Sequence, residues 1–136
     1  VMDPGLVAIA KEGAKLTAVT IGQTMAARTA YWDTMYRAFL SFDVLVTPTI
    51  AVPPFECGIV GPTQVNGQDV VHLAWTLAYP FNFTGQPAVT IPCGFTQSGL
   101  PVGLQIIGKR HADGAVLRAA AAFEAVRPWA DRRPPL

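Results

Sequence analysis

The stretch that most constrains the fold of this chain runs from Pro87 to Gly108. It holds two apolar arms, PAVTIPCGF and VGLQIIG, separated by TQSGLP. Val89 and Ile91 alternate on the first arm, and Val102, Leu104 and Ile106 on the second. Two-residue periodicity on both sides of a Ser98-Gly99 turn predicts a β-hairpin with one apolar face. Gly103 and Gly108 weaken the second arm, and a glycine inside a strand can allow another backbone to approach closely.

Helical signals lie on either side of this hairpin. Asp3-Pro4 is a good helix start, because Asp caps free N–H groups and Pro tolerates the first turn. GLVAIAKEGAKL continues that helix, with Gly13 near its end. A longer helix is predicted from about Val19 to Leu40, with Thr17 or Thr20 as its cap. Ile21, Met25, Trp32, Tyr36 and Phe39 fall on one face of it, and that stripe reads as core packing. Val44-Leu45-Val46 is a short continuous apolar run, as in a strand buried on both faces of a parallel or mixed sheet. Pro48, Pro53 and Pro54 then force an extended loop, and Asn66-Gly67 has the chemistry of a tight hairpin turn. Residues 70–79, VVHLAWTLAY, read as a helix ended by Pro80, with His72, Trp75 and Tyr79 on one face. A last helix is expected from Asp113, as cap, through GAVLRAAAAFEAV to Pro128, followed by an extended tail.

Composition adds a constraint on surroundings. Hydrophobic residues make up 51% of the 136 and charged residues 14%, and mean hydropathy is +0.33. An independent domain of this size has a large surface to cover and carries about a quarter charged residues. The chain is therefore expected either to expose apolar surface or, as preferred here, to be covered by a larger partner. No uncharged apolar run is long enough for a membrane span, and Arg28, Asp33 and Arg37 interrupt the best helix. The opening VMDPGLVAIAKEGAKL has no basic leader and reads like the middle of a protein. Net charge is +1 with only local basic groups, which argues against nucleic acid as a partner. Cys57 and Cys93 form neither a metal motif nor a disulfide framework. A reducing cytoplasm is the expected compartment, with a single disulfide as the alternative.

No self-contained active site is visible. The two serines are Ser41, at the end of the long helix, and Ser98, in the hairpin turn. Neither lies in a glycine-rich turn able to present oxyanion donors. Cys93 could couple with His72 or His111, but a small buried thiol beside a strand is the commoner outcome. No HExxH, CxxC, carboxylate pair or phosphate loop occurs, so neither a metal nor a cofactor is expected. His72, Trp75 and Tyr79 have two readings: a packed amphipathic face, or the wall of a small-molecule pocket.

Several motifs together resemble the C-terminal end of the amidase signature family. They are Pro80-x-Asn82-x-x-Gly85-x-Pro87-Ala88, then Pro92-x-Gly94, then Gly99-Leu100-Pro101-x-Gly103-x-Gln105. Upstream, a helix leads into Asp43-x-Leu45-x-x-Pro48-Thr49. PWADRRPPL also resembles the family's usual ending. The resemblance implies an α/β fold, here part of a mixed β-sheet flanked by helices, with residues 1–136 as the C-terminal part of a single amidase domain and not a complete independent one. It implies hydrolysis of a carboxamide by two serines and a lysine. Those residues belong to a Gly/Ser-rich region and the sequence before it, which this chain lacks, so no catalytic residue carries over. The chain alone is expected to be inactive, with the rest of the amidase as partner and a small amide as substrate. The alternatives are a non-catalytic binding or structural module, or the smaller chain of a split amidase. Related amidotransferases place an acidic residue where Trp75 stands, and fatty-amide members line an acyl channel with this face. The resemblance thus favours His72, Trp75 and Tyr79 as a pocket wall for an aromatic or apolar amide. Asn82, Thr84 and Gln86 are expected to tie down the backbone between Tyr79 and Ala88.

Overall fold

The computed structural model describes residues 2–71 and 73–132. Helix α1 spans Pro4–Gly13 and α2 spans Ala18–Ala38. Asp3 caps α1 by accepting from the Leu6 N–H at 3.0 Å, and Thr17 caps α2 by accepting from the Thr20 N–H at 3.1 Å. Strand β1, Val44–Pro48, follows, then a small hairpin of β2, Gln64–Val65, and β3, Gln68–Asp69. Asn66 and Gly67 turn that hairpin with φ of 52° and 74°, the left-handed pair that a tight hairpin turn requires. Helix α3 is Tyr79–Thr84, β4 is Ala88–Phe95, β5 is Pro101–Gly108 and α4 is Asp113–Val126.

The expected hairpin is present: β4 and β5 pair antiparallel, with a bulge between Pro92 and Gly94. β1 joins the other edge of β5, also antiparallel, giving a three-stranded sheet of order β1-β5-β4. The portion of sheet described is thus antiparallel throughout, and β1 is an edge strand. Its first residues are still packed on both sides, Val44 with the α4 cluster and Leu45 with the α2–α3 cluster, while Val46 is 50% exposed.

Helices lie on both faces. On one face Ile91 and Ile106 pack against Ala120 of α4, with Val44, Val89, Leu104 and Phe123 around them. On the other, Ile107 is fully buried with Phe39, which caps the end of α2, and Phe81 of α3, beside Met35 and Leu45. Gly108 explains how closely α4 approaches: a Cβ there would lie 2.5 Å from Val116 Cγ2.

Three expectations need correction. The helix expected over residues 70–79 is not found where the structure describes them: residues 73–78 are not helical. Leu73 has φ of 59°, which a right-handed helix does not allow, and residues 73–75 form a turn. The helix begins where it was expected to stop, because Pro80 occupies the first turn of α3, where its missing N–H costs nothing. The α2 stripe is not core. Of its residues Phe39 is buried, whereas Ile21, Met25, Trp32 and Tyr36 are exposed, because only the end of α2 reaches the sheet. Finally, α4 is preceded by Ala112 with no side-chain cap, and Asp113 is its first residue. There its charge still complements the helix dipole.

Candidate functional site

The sheet face that carries Ile107 changes character along its length. Strand registers align Leu45, Ile107 and Ala88 in one row, then Thr47, Gln105 and Thr90 in the next. The first row is apolar and lies under Phe39 and Phe81; the second is polar. Gln105 is 3% exposed, so its amide needs partners inside the protein. Its Nε2 donates to Thr47 Oγ1 at 3.1 Å and to the Leu77 carbonyl at 3.2 Å. One row further, Thr49 Oγ1 donates to Thr90 Oγ1 at 3.3 Å, directly over Gly103. A Cβ on Gly103 would sit 2.7 Å from Thr49 Oγ1 and 3.0 Å from Thr90 Cγ2. The glycine is therefore what lets these hydroxyls meet over β5.

The segment carrying Trp75 borders this polar row. Its backbone runs antiparallel to the residues after β1: Ile50 and Thr76 form a bridge, Ala51 N–H donates to the Trp75 carbonyl at 2.8 Å, and Leu77 N–H donates to the Thr49 carbonyl at 3.1 Å. The half-buried Trp75 ring meets Phe55 edge to face, with centroids 5.1 Å apart and planes at 81°. It also lies on the backbone of Gly61, whose absent Cβ would be 2.5 Å from Trp75 Cζ2. Phe55 and Gly61 escape a reading of the sequence because both fall in a proline- and glycine-rich loop without periodicity.

Of the pocket candidates, Trp75 has this packed aromatic setting. Tyr79 opens α3 and is 42% exposed. Because Trp75 and Tyr79 are not on one helix, the shared face expected from their spacing does not exist. His72 lies outside the described residues. The join after Tyr79 is tied down in part as expected. Thr84 Oγ1 donates to Gln86 Oε1 at 2.6 Å, close to the Pro80 and Phe81 carbonyls. Gly85, with φ of 70°, closes α3 in the left-handed region. Asn82 is exposed, with no side-chain hydrogen bond among the described residues.

The chemistry these residues can do is limited to positioning. Ser98 Oγ shares a hydrogen bond with Thr96 Oγ1 in the β4–β5 turn. Cys93 Sγ donates to the Val102 carbonyl at 3.4 Å. His111 follows the opposite end of β5, about 20 Å along the strand at ~3.3 Å per residue, so no Cys93–His111 couple forms. Both cysteines are free. Lys15 pairs with Glu12, and Lys109 with Asp43. The Arg37 guanidinium is held above its ordinary value by its hydrogen bond to Asp33, on an exposed face of α2. Among the described residues no group of three His, Cys, Asp or Glu could hold a metal ion, and no helix is long and apolar enough to cross a membrane.

The residues that build this frame are those of the motifs: Gly103 and Gln105, with Thr49 just after β1 and Gly85 closing α3 nearby in the chain. The family profile described as Amidase matches residues 7–117. The chain belongs to the amidase signature family. It is 43% identical to an acylamidase of Rhodococcus erythropolis over 135 residues, which is 98% of this chain and 28% of that protein. It is 40% identical over 109 residues to the A-type component of the glutamyl-tRNA(Gln) amidotransferase of Thermodesulfovibrio yellowstonii, 79% of this chain and 21% of that one. Among solved structures it resembles a bacterial aryl acylamidase of the amidase signature family, with TM-score 0.83 and 34% identity, over 98% of this chain and 29% of that one. It also resembles 6-aminohexanoate cyclic dimer hydrolase, with TM-score 0.76 and 28% identity, over 91% and 28%. This amidase-family chain therefore spans under a third of the length of these relatives.

Proposed function

We propose that these residues form the C-terminal part of an amidase that hydrolyses a carboxamide C–N bond, supplying scaffold and pocket wall while the serine and lysine machinery lies elsewhere in the protein. The observation that carries this reading is a contrast. The chain aligns with amidases over nearly its whole length, yet no nucleophile meets a base among its described residues. Its motif residues instead build a hydrogen-bonded frame around Gln105 and Gly103. The remainder of the amidase domain is then its partner.

The same reading assigns Trp75 to the wall, facing an aromatic or apolar amide. An indole edge-packed on Phe55 offers apolar area and no carboxylate to hold a substrate ammonium. This supports a stand-alone acylamidase over a component of an amidotransferase.

Two measurements test the proposal. Residues 1–136 alone should show no turnover of aryl or aliphatic amides, whereas the full-length protein should hydrolyse them; activity of residues 1–136 alone would overturn the division of labour. In the full-length protein, Trp75→Ala should lower kcat/KM for aromatic amides by about tenfold relative to small aliphatic ones, as the loss of roughly 1–2 kcal/mol of ring contact. An equal effect on both substrate classes would remove Trp75 from the wall.

A further inference from the structure

Gln105 sits on β5, the strand paired on both sides, and is 3% exposed. The next row on its face, Leu45, Ile107 and Ala88, is apolar, and an apolar side chain at 105 would simply continue it. A buried amide costs free energy unless its polar atoms are bonded, and a bonded one specifies a single arrangement of its partners. Here the partners decide which way the amide faces. Thr47 Oγ1 donates to the Pro48 carbonyl at 3.0 Å, so toward Gln105 it accepts, and Leu77 offers a carbonyl. Only the NH2 group of Gln105 can serve both.

The bond to Leu77 is the one that reaches the Trp75 segment. Both polar backbone groups of Leu77 are held, its N–H by the Thr49 carbonyl and its carbonyl by Gln105. Two residues earlier, the Trp75 carbonyl accepts from the Ala51 N–H. Residues 49–51 follow β1, whereas Gln105 belongs to the central strand. At the start of the segment Leu73 holds φ of 59°. That left-handed conformation is unfavourable for a residue with a side chain and persists only where its surroundings fix it. The Trp75 ring is seated on Phe55 and Gly61, so displacing the backbone at 75–77 would lift the indole from that seat.

We propose that Gln105 is a positioning residue for substrate selectivity. From the central strand it holds the Leu77 carbonyl, and through that segment it fixes the Trp75 indole against an aromatic or apolar amide. It acts through Trp75 and not on the substrate. This role rests on the reading of Trp75 as a pocket wall and adds the group that sets the wall's position. The bonds of this latch run from a buried amide and between backbones, and none involves the exposed stripe of α2.

The test uses full-length protein labelled with fluorotryptophan, and the ratio of kcat/KM for aromatic over small aliphatic amides. Gln105→Met keeps the length of the side chain and removes both donors. In fluorine NMR the Trp75 resonance, assigned by its loss in Trp75→Phe, should shift or broaden in Gln105→Met. The ratio should fall about threefold, through KM for the aromatic amide and with kcat nearly unchanged. In a Trp75→Ala background the same substitution should change the ratio by less than about 1.5-fold, because residues acting through one contact are not additive. Gly108→Ala strains the α4 face of the same strand and controls for lost stability alone; it should leave the resonance and the ratio unchanged. If Gln105→Met does not fold, Gln105→Asn, whose amide falls one methylene short, decides by the same readouts. An unmoved Trp75 resonance would overturn the proposal, and so would an equal fall of the ratio with and without the indole. A ratio that Trp75→Ala itself leaves unchanged would instead sink the wall reading, and with it the role of Gln105 in selectivity, while a moved resonance would still record the latch.

Discussion

At the scale of single residues, the motif positions act by permitting or completing contacts. Gln105 is the clearest case. Replacing it with Leu leaves the Leu77 carbonyl and the Thr47 hydroxyl facing an apolar side chain. An unsatisfied buried acceptor costs about 1–3 kcal/mol, so Gln105→Leu should lower stability in urea denaturation by about 2 kcal/mol. A loss under about 0.5 kcal/mol would show that water replaces the amide. Gly108 makes the converse point. An added methyl meets Val116 Cγ2, so Gly108→Ala should destabilise by about 1–3 kcal/mol. Combining it with Val116→Ala should recover part of that loss, because the two sites share one contact; strict additivity would mean that strain at Gly108 lies elsewhere. The glycines at 103 and 108 are legible in the sequence as close-approach positions because glycine inside a strand has few other reasons to be there. The partners they admit, Thr49 and Val116, are not legible, since neither contact follows from local periodicity or turn chemistry.

Elements with strong periodicity or strong turn chemistry are readable from the sequence, and elements set by tertiary context are not. The β4–β5 hairpin, the Asn66-Gly67 turn and the bulk of all three long helices follow local rules that nothing overrides. VVHLAWTLAY fails because its helical spacing competes with backbone pairing to the strand-like residues after β1, and pairing wins through the Ile50–Thr76 bridge. Pro80 then starts α3 instead of ending its predecessor. The pocket candidates inherit that error: Trp75 holds its place through Phe55 and Gly61 and owes nothing to a helical face. Helix α3 is short, and its far end depends on Gly85 at φ of 70° and on Arg28, whose Nε donates to the Phe83 carbonyl at 2.7 Å. Gly85→Ala should cost about 1 kcal/mol through the left-handed cap. Arg28→Ala should raise amide exchange in α3 more than in α4, because it frees the one long-range side-chain hydrogen bond between α2 and α3 among the described residues. Equal protection of α3 in both proteins would show that Phe39 and Phe81 alone hold these helices together.

At the scale of the whole molecule, the question is what covers the apolar residues that the sheet and helices leave outside. Low charge and high hydropathy anticipate this, and the structure places the exposed residues: Leu6 and Ile9 on α1, Ile21 and Met25 on α2, Phe42 before β1 and Phe83 on α3. The α2 stripe reads as core from its spacing. That spacing does record a face built to be buried, but not one buried by these residues. On the proposed reading, the rest of the amidase domain covers it. Residues 1–136 alone should then bind the dye ANS and associate with rising concentration in sedimentation velocity, since exposed apolar patches of this kind drive self-association. Their unfolding should also be broad, because the two buried clusters around Ile107 and Ile106 are small. Adding the preceding part of the amidase in trans should reduce ANS binding and protect the amides of α1 and α2. A chain that stays monomeric, binds no ANS and unfolds sharply would mean that the stripe is simply solvated, and the domain boundary would then have to be drawn around these residues instead of through the enzyme.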